Sequence, residues 1–519
     1  MTRVEDIMKK KIAIVLAIIT IISKFFGFFR EIILSYFYGV SNESDAYIIA
    51  LTIPTVIFAF VGTGLATTFI PIYNSILAQK GEKAANAFTN KVINIIFVIS
   101  SVIVLLIFVF TEHTVKLFAY GFDKETMELA VQFTRIISLG IYFIGLGYVF
   151  KSLLQIKDNF IVPAIVGFPY NFIVIISIIA STKWNIMILP LGTFIATSLE
   201  TIVLFPGIIK SGYKYLLDFK IDNHIKKMFF LSIPVILGTS VNQINKLVDR
   251  TLASQISVGG ISALNYASRL NNFVQGVFVV SVIAVMYPAI SKLAAENNMK
   301  ELKKVLSESI IGVTLLLVPL SVGAMIFSKE IVALLFGRGA FDKTAVDMTS
   351  VSLFYYSIGM LAFGIRDVLS RVFYSVKDTK TPTINAGIGM ALNIVLNIIL
   401  SRYMGIGGLA LATSIVGIFI TILMFVTLRK KIGPLGMKAM SFKFFKILVS
   451  SLLMGVIAHI SYRYLENFAG SNISIIISIT GGALIYFVII YFMKIEDVEV
   501  LVKQFKRKLF GRKKQLNNG

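Results

Sequence analysis

Seven basic side chains stand inside stretches of sequence that are otherwise apolar: Lys24, Arg30, Lys246, Arg250, Arg269, Arg366 and Arg371. The acids in the same stretches are fewer, Glu31, Asp249 and Asp367. At 100° per helical residue, Ser23, Gly27 and Arg30 share one face, with Lys24 and Glu31 beside them. Asn242, Lys246, Asp249 and Arg250 form a second stripe, and Asn265, Arg269, Asn272 and Gly276 a third, while Arg366, Asp367 and Arg371 cluster in GIRDVLSR. An ionised group at mid-membrane costs roughly 3 kcal/mol or more and is seldom turned towards lipid. The set is therefore expected to face one shared, hydrated cavity. Any single pair, Glu31 with Lys24 for example, can serve only to hold helices together, but the surplus of cations calls for an anion. Arginine's planar fork donates two hydrogen bonds to a phosphate and lysine adds a point charge, so a diphosphate fits better than a monocarboxylate.

The elements that must position these residues are membrane-length helices. The 519-residue chain is 56% hydrophobic and only 15% charged, with a mean hydropathy of +0.84, whereas a soluble domain carries about 25% charged residues. Fourteen apolar runs recur, at 11–38, 46–73, 88–111, 126–150, 160–182, 186–209, 228–254, 259–291, 305–328, 345–376, 382–401, 405–428, 444–464 and 472–494. None shows the period-two alternation of a barrel strand, so the expected fold is an all-α polytopic membrane protein. The opening MTRVEDIMKKK is followed by a run too long for a signal-peptide core and lacking a small-x-small cleavage site, so it is expected to stay as the first span. Connections after even-numbered runs are basic, such as LAQKGEKAANAFTNK and RKKIGPLGMK, and those after odd-numbered runs are neutral or mixed. The positive-inside rule then places both termini in the cytoplasm, as an even number of spans requires.

Composition and spacing also exclude chemistry. With no cysteine there is no disulfide framework, thiolate metal site or cysteine nucleophile. The three histidines, at 113, 224 and 459, have no metal-ligand spacing. GIGGLALATS (405–414) opens a helix without a preceding strand, which reads as helix packing rather than nucleotide binding, and no Walker A sequence appears. The net charge of +23 sits mostly in loops and the tail and needs no nucleic acid to explain it.

The chain repeats itself. VKLFAYGFDKET (115–126) matches VALLFGRGAFDKTA (332–345), with Phe-Asp-Lys recurring at an offset of 219. LQIKDNFIVP (154–163) likewise matches YSVKDTKTP (374–382), and Pro71 falls on Pro288 at an offset of 217. Runs 1–6 and 7–12 are two copies of one six-helix unit in the same orientation, a plan that places the substrate between bundles and moves it by rocking.

The motifs SKFFGFFRE (23–31), SDAY (44–47), IP (53–54), YASRL (266–270), PAIS (288–291), FGRGAF (336–341) and FYSVKDTKTP (373–382) together resemble the lipid II flippase family of peptidoglycan synthesis, MurJ or MviN. That family lies within the multidrug/oligosaccharidyl-lipid/polysaccharide exporter superfamily. The resemblance spans nearly the whole chain. It implies movement of an undecaprenyl-diphosphate-linked disaccharide-pentapeptide, lipid II, from the inner to the outer leaflet by alternating access. It implies that Lys24, Arg30 and Arg269 line the central cavity, that the acid matching Asp45 is required, and that the last two helices form a groove for the polyprenyl tail. It further implies a possible Na⁺ site from Asp249, Asp367, Thr383 and the carbonyl of Thr379. Departures accompany it: Phe363 stands where an Asn ligand is expected, Lys24 where Arg is usual, and Phe58 and Ala59 where many members carry an Arg pair. Either Lys246 and Arg250 compensate, or the chain carries a different lipid-linked saccharide.

The resulting expectations are concrete. Residues 1–222 and 223–432 form the two six-helix bundles, 433–498 the tail groove, and 499–519 a basic cytoplasmic tail. The substrate contacts are Ser23, Lys24, Gly27, Arg30, Glu31, Asp45, Lys246, Arg250, Asn265, Arg269 and Asn272; Glu31 orients Arg30, neutralises Lys24 or takes part in coupling. The chain is a transporter of the bacterial cytoplasmic membrane and not an enzyme. Its partners are lipid II, membrane lipids and wall-synthesis enzymes, with no cofactor unless Na⁺. The rival readings are a flippase for another polyprenyl-diphosphate oligosaccharide and a cation-coupled drug antiporter, the latter disfavoured by the basic surplus.

Overall fold

A computed structural model describes residues 3–493; the expected basic tail, 499–519, lies outside the described residues. Those residues are helical throughout, without a strand. In chain order the helices are α1 (Arg3–Tyr38), α2 (Asn42–Val109), α3 (Thr111–Phe118), α4 (Lys124–Ser138), α5 (Ile141–Ile156), α6 (Ile161–Ile165), α7 (Gly167–Lys183), α8 (Ile188–Ile202) and α9 (Phe205–Lys210). Then follow α10 (Asn223–Ile256), α11 (Gly260–Val274), α12 (Val280–Ala295), α13 (Met299–Ile326), α14 (Ser328–Leu335), α15 (Lys343–Ser375), α16 (Lys380–Ile432), α17 (Met437–Ala469) and α18 (Ser471–Phe492).

Among the described residues, eleven helical stretches are long and apolar enough to cross a membrane. Two of them are far longer than a bilayer needs: α2 has 68 residues and α16 has 53, and each is broken once, at Gly81 (φ 77) and at Gly405 (φ 56). Helix starts follow the sequence. Ser41 and Ser44 form a reciprocal capping box at α2, Asp123 caps α4 through the Thr126 N–H, and Asp222 caps α10 through those of His224 and Ile225.

Contacts divide the chain into two compact units. The first comprises residues up to Tyr266 together with Phe336–Ala345; the second comprises Ala267–Leu335 and the described residues from Val346 on. This division differs from the repeat, because α10 packs along α2 within the first unit. That interface is lined with small hydroxyls: Thr63 Oγ1 lies 3.2 Å from Thr239 Oγ1, and Thr68 Oγ1 lies 3.2 Å from Ser232 Oγ. Lipid tails are as apolar as the helices, so packing and such hydrogen bonds hold membrane helices together.

The first unit's core stacks Phe69 on Phe88, with ring centroids 5.7 Å apart, and Phe58 on Tyr148 at 6.2 Å. In the second unit, Leu306, Ile310 and Leu317 of α13 meet Val368 and Val372 of α15, Met424 of α16 and Ile447 of α17. The Tyr486 hydroxyl of α18 donates to the Leu315 carbonyl at 2.8 Å.

One connection of the repeat read from sequence recurs hydrogen bond for hydrogen bond. The Asp158 and Asn159 N–H groups donate to the Gln155 and Leu154 carbonyls, and those of Lys377 and Asp378 donate to Tyr374 and Phe373, each 219 residues on. Asp158 (φ 57) and Lys377 (φ 59) are both left-handed. Asn159 Oδ1 accepts the Val162 N–H as Asp378 Oδ1 accepts that of Thr381.

Candidate functional site

The charged face of α1 is divided between packing and ionic contact. A Cβ added to Gly167 would lie 2.6 Å from Ser23 Oγ, and one added to Gly27 would lie 3.8 Å from Asn171 Oδ1. Ser23 and Gly27 thus form the surface on which α6 and α7 pack. Asn171 Oδ1, buried beside Gly27, accepts no hydrogen bond among the described residues.

One turn further on, Arg30 Nη2 and Glu31 Oε1 are 2.7 Å apart, with side chains 15% and 5% exposed. The Arg30 guanidinium also lies over the Tyr170 ring, 5.5 Å from its centroid. Glu31 Oε2 accepts Asn265 Nδ2 at 3.3 Å, and Asn265 Oδ1 accepts Arg250 Nη2 at 3.1 Å. Arg250 Nη1 donates to the Ile261 carbonyl at 2.8 Å. Arg30, Glu31, Asn265 and Arg250 therefore form one polar chain across α1, α11 and α10. A carboxamide suits its middle, since it donates to the acid with one end and accepts from the guanidinium with the other. Glu31 and Arg250 are 219 residues apart, so the repeat places an acid and a base at equivalent positions.

Asp45, buried near the start of α2, accepts the Ser262 N–H of α11 at 2.7 Å. A carboxylate is well placed there, where first-turn N–H groups have no partner within their own helix. The same end of the first unit is closed by backbone. The Tyr266 hydroxyl donates to the Gly39 carbonyl at 3.2 Å, and the Ala340 N–H donates to the Tyr36 carbonyl at 2.8 Å. Gly39 has φ +56, and a Cβ on it would lie 2.3 Å from the Ala340 oxygen, so only glycine fits. The Tyr266 ring packs against Phe336 at 5.3 Å and Phe341 at 5.6 Å.

Lys24 is half-buried, Lys246 exposed and Asp249 half-buried, all in the first unit. Arg269 and Asn272 are exposed and belong to the second unit, just before a π-helical turn at Gln275–Val279. Also in the second unit, Arg366 lies 5.5 Å from the Phe363 ring and Arg371 lies 5.6 Å from that of Tyr287.

Of the cation ligands implied by resemblance, Asp367, Thr379 and Thr383 belong to the second unit and Asp249 to the first. The Thr379 carbonyl is already engaged by the Thr383 hydroxyl at 2.9 Å, both residues are exposed, and Phe363 supplies an aromatic face to a guanidinium instead of an oxygen to a metal. Among the described residues, no group of three or more His, Cys, Asp or Glu gathers in metal-binding geometry.

Phe58 explains a sequence departure. It is 1% exposed, stacked on Tyr148 and pressed against Gly145, so the place of an expected arginine is taken by core packing. The sequence did not reveal Ser262, Tyr170 or Asn171 as part of the site. Ser262 acts through its backbone, and the other two look like ordinary residues of an apolar run.

The family model for the lipid II flippase MurJ matches residues 34–479. The "Lipid II flippase MurJ" of Thermosipho africanus is 32% identical over 92% of this chain and 95% of its own length. A "Probable lipid II flippase MurJ" of Thermotoga maritima is 30% identical over 93% and 97%. A solved structure described as "Lipid II flippase MurJ, inward closed conformation" superposes with a TM-score of 0.81 at 31% identity, covering 96% of this chain and all of that one. An inward-facing MATE-family multidrug transporter of the MOP superfamily reaches a TM-score of 0.68 at 13% identity over 81% of this chain, a likeness of fold alone.

Proposed function

The chain belongs to the lipid II flippase MurJ family, and from that premise we propose that it moves a polyprenyl-diphosphate-linked peptidoglycan precursor, lipid II, across the bacterial cytoplasmic membrane. The observation that carries this reading is the buried chain Arg30–Glu31–Asn265–Arg250. A transporter of cationic drugs would present acids; here two guanidiniums are held in place by one carboxylate and one carboxamide.

Counting α2 and α16 twice for their glycine breaks and adding α1, the eleven candidate spans become fourteen. Two six-helix bundles, 1–222 and 223–432, are followed by the tail groove of α17 and α18, with both termini cytoplasmic. Lys24, Arg30 and Arg269 receive the diphosphate, with Lys246 and Arg250 adding charge, while the polyprenyl tail stays in lipid. Glu31 is a positioning group that orients Arg30. In this orientation the turns around Gly39, Ser262 and Ala340 lie at the outer face, and their contacts close it. Release outward requires breaking the Asp45–Ser262 and Tyr266–Gly39 hydrogen bonds. A membrane potential contributes about 2.3 kcal/mol per charge per 100 mV, favouring export of the anion and return of the emptied cationic site. No sodium step enters this mechanism.

Purified protein in liposomes containing lipid II tests the reading, with Arg30→Ala and Arg250→Ala compared with the parent. Flipping that falls at least tenfold in both variants, at unchanged folding, supports it; parental rates in both would remove these residues from the site. A flippase for another polyprenyl-diphosphate saccharide is favoured only by the apolar Phe58. It predicts that lipid II is left in place while a teichoic-acid or capsule precursor is moved.

A further inference from the structure

The connection between α16 and α17 contains a second site, unrelated to the buried network of α1. Between these helix ends lies a cavity of about 960 Å³, walled by Leu435, Met437 and Phe442 and bordered by Arg429 and Lys438, with no acid in its lining. Two nearby cations are already committed. Lys431 pairs with Asp378 at 2.7 Å, and Lys446 donates to the Met493 carbonyl at 2.9 Å and lies 5.0 Å from the Phe442 ring. Arg429 and Lys438 are exposed and form no ion pair among the described residues. Phe442 is 63% exposed and Met437 is 37% exposed. The first turn of α17 beside them has no side-chain cap, because its N-cap is Gly436.

Both flanking helices are membrane-length, so this connection falls where hydrocarbon gives way to water. A small soluble anion would have no use for an open apolar wall, and an acyl chain alone would have no use for two uncommitted cations. An amphiphile with an anionic head uses both. We propose that this cavity binds an anionic phospholipid of the leaflet it opens onto, with the phosphate on Arg429 and Lys438 and the upper acyl chain along Leu435, Met437 and Phe442. The assignment does not depend on what the protein transports. A basic residue near a membrane surface strengthens such binding about fivefold, so loss of both cations weakens it about twenty-five-fold.

The test uses the full-length protein in nanodiscs of phosphatidylcholine doped with phosphatidylglycerol, with bound lipid counted by native mass spectrometry. The parent is expected to retain phosphatidylglycerol over phosphatidylcholine, Arg429→Gln/Lys438→Gln to lose that preference, and Phe442→Ala to weaken retention of both lipids. Millimolar inorganic phosphate should not displace the lipid. Equal retention of the two lipids by the parent, an unchanged preference in the double variant, or displacement by free phosphate would each overturn the proposal. If the double variant unfolds, Lys438→Gln alone decides, with an expected drop of about fivefold.

Discussion

Glu31 is the residue on which the buried network turns. It is 5% exposed in its side chain and serves Arg30 with one oxygen and Asn265 with the other. Removing one partner of a buried pair strands the other charge at a cost of about 3–5 kcal/mol. Glu31→Gln keeps the shape and one acceptor but removes the charge, so we expect a lower unfolding temperature together with a large loss of flipping, read by thermal unfolding and liposome assay. Glu31→Asp should recover stability more than activity, because a shorter acid can keep one partner but not both. Phe58 gives the opposite lesson: Phe58→Arg restores a charge common in the family yet buries it in a stacked aromatic core, and should destabilise the protein by about 3 kcal/mol or more without raising flipping. Because Phe363 supplies no oxygen where a cation ligand is expected, exchanging Na⁺ for K⁺ should leave the flipping rate unchanged, whereas a dependence on Na⁺ would restore Asp367 and Thr383 as ligands. At this scale the sequence was informative where a side chain was anomalous for its surroundings, as for Arg30, Glu31 and Arg250. It was silent where the partner was a backbone group, as for Ser262 and Gly39.

Elements tell a similar story, because apolar runs marked the helices but not all their punctuation. The gaps between runs 46–73 and 88–111 and between 382–401 and 405–428 do flank the breaks at Gly81 and Gly405, but the short helices α3, α6, α9 and α14 depend on backbone geometry that no hydropathy pattern encodes. The segment 211–222 read simply as a basic connection; in the structure it is strapped to α2. The Tyr213 and Tyr215 hydroxyls donate to Asn90 and Asn94, Asn94 Nδ2 donates to the Asp218 carbonyl at 2.9 Å, and Lys91 pairs with Asp222 at 2.8 Å. Asn90→Ala/Asn94→Ala should therefore speed proteolysis within 211–222 several-fold while leaving the membrane helices intact. A second connection is pinned by Asp378. Burial opposes its ionisation, but the Lys431 ammonium and the Thr381 N–H and hydroxyl outweigh it and hold the carboxyl at about 2. Because the folded value is depressed, the stabilisation is present above the ordinary carboxylate range near 4 and fades as pH falls towards 2. The protection of the Thr381 amide, measured as its exchange rate relative to the intrinsic rate at the same pH, should hold down to about pH 4 and fall below it, and Asp378→Ala should abolish it at pH 7.

For the molecule as a whole, the repeat was legible as an offset of 219, and the paired turns at Asp158 and Lys377 bear that out in backbone geometry. The sequence did not disclose that α10, the first helix of the second copy, packs along α2 of the first through Thr63–Thr239 and Thr68–Ser232. Small hydroxyls with weak mutual hydrogen bonds make a contact that can part at little cost, as double-mutant cycles in membrane bundles average only about 0.6 kcal/mol. In the mechanism proposed above, rocking of the two six-helix bundles would separate α2 and α10 in each cycle. The absence of cysteine from the chain offers a clean trap. Thr63→Cys/Thr239→Cys should form a disulfide under oxidation, shown by a mobility shift after proteolysis between the two sites, and flipping should stop and then return on reduction. Each single cysteine should behave as the parent under the same oxidant. If the cross-linked protein flips at the parental rate, α2 and α10 move as one body, and the rocking surface has to lie elsewhere in the bundle.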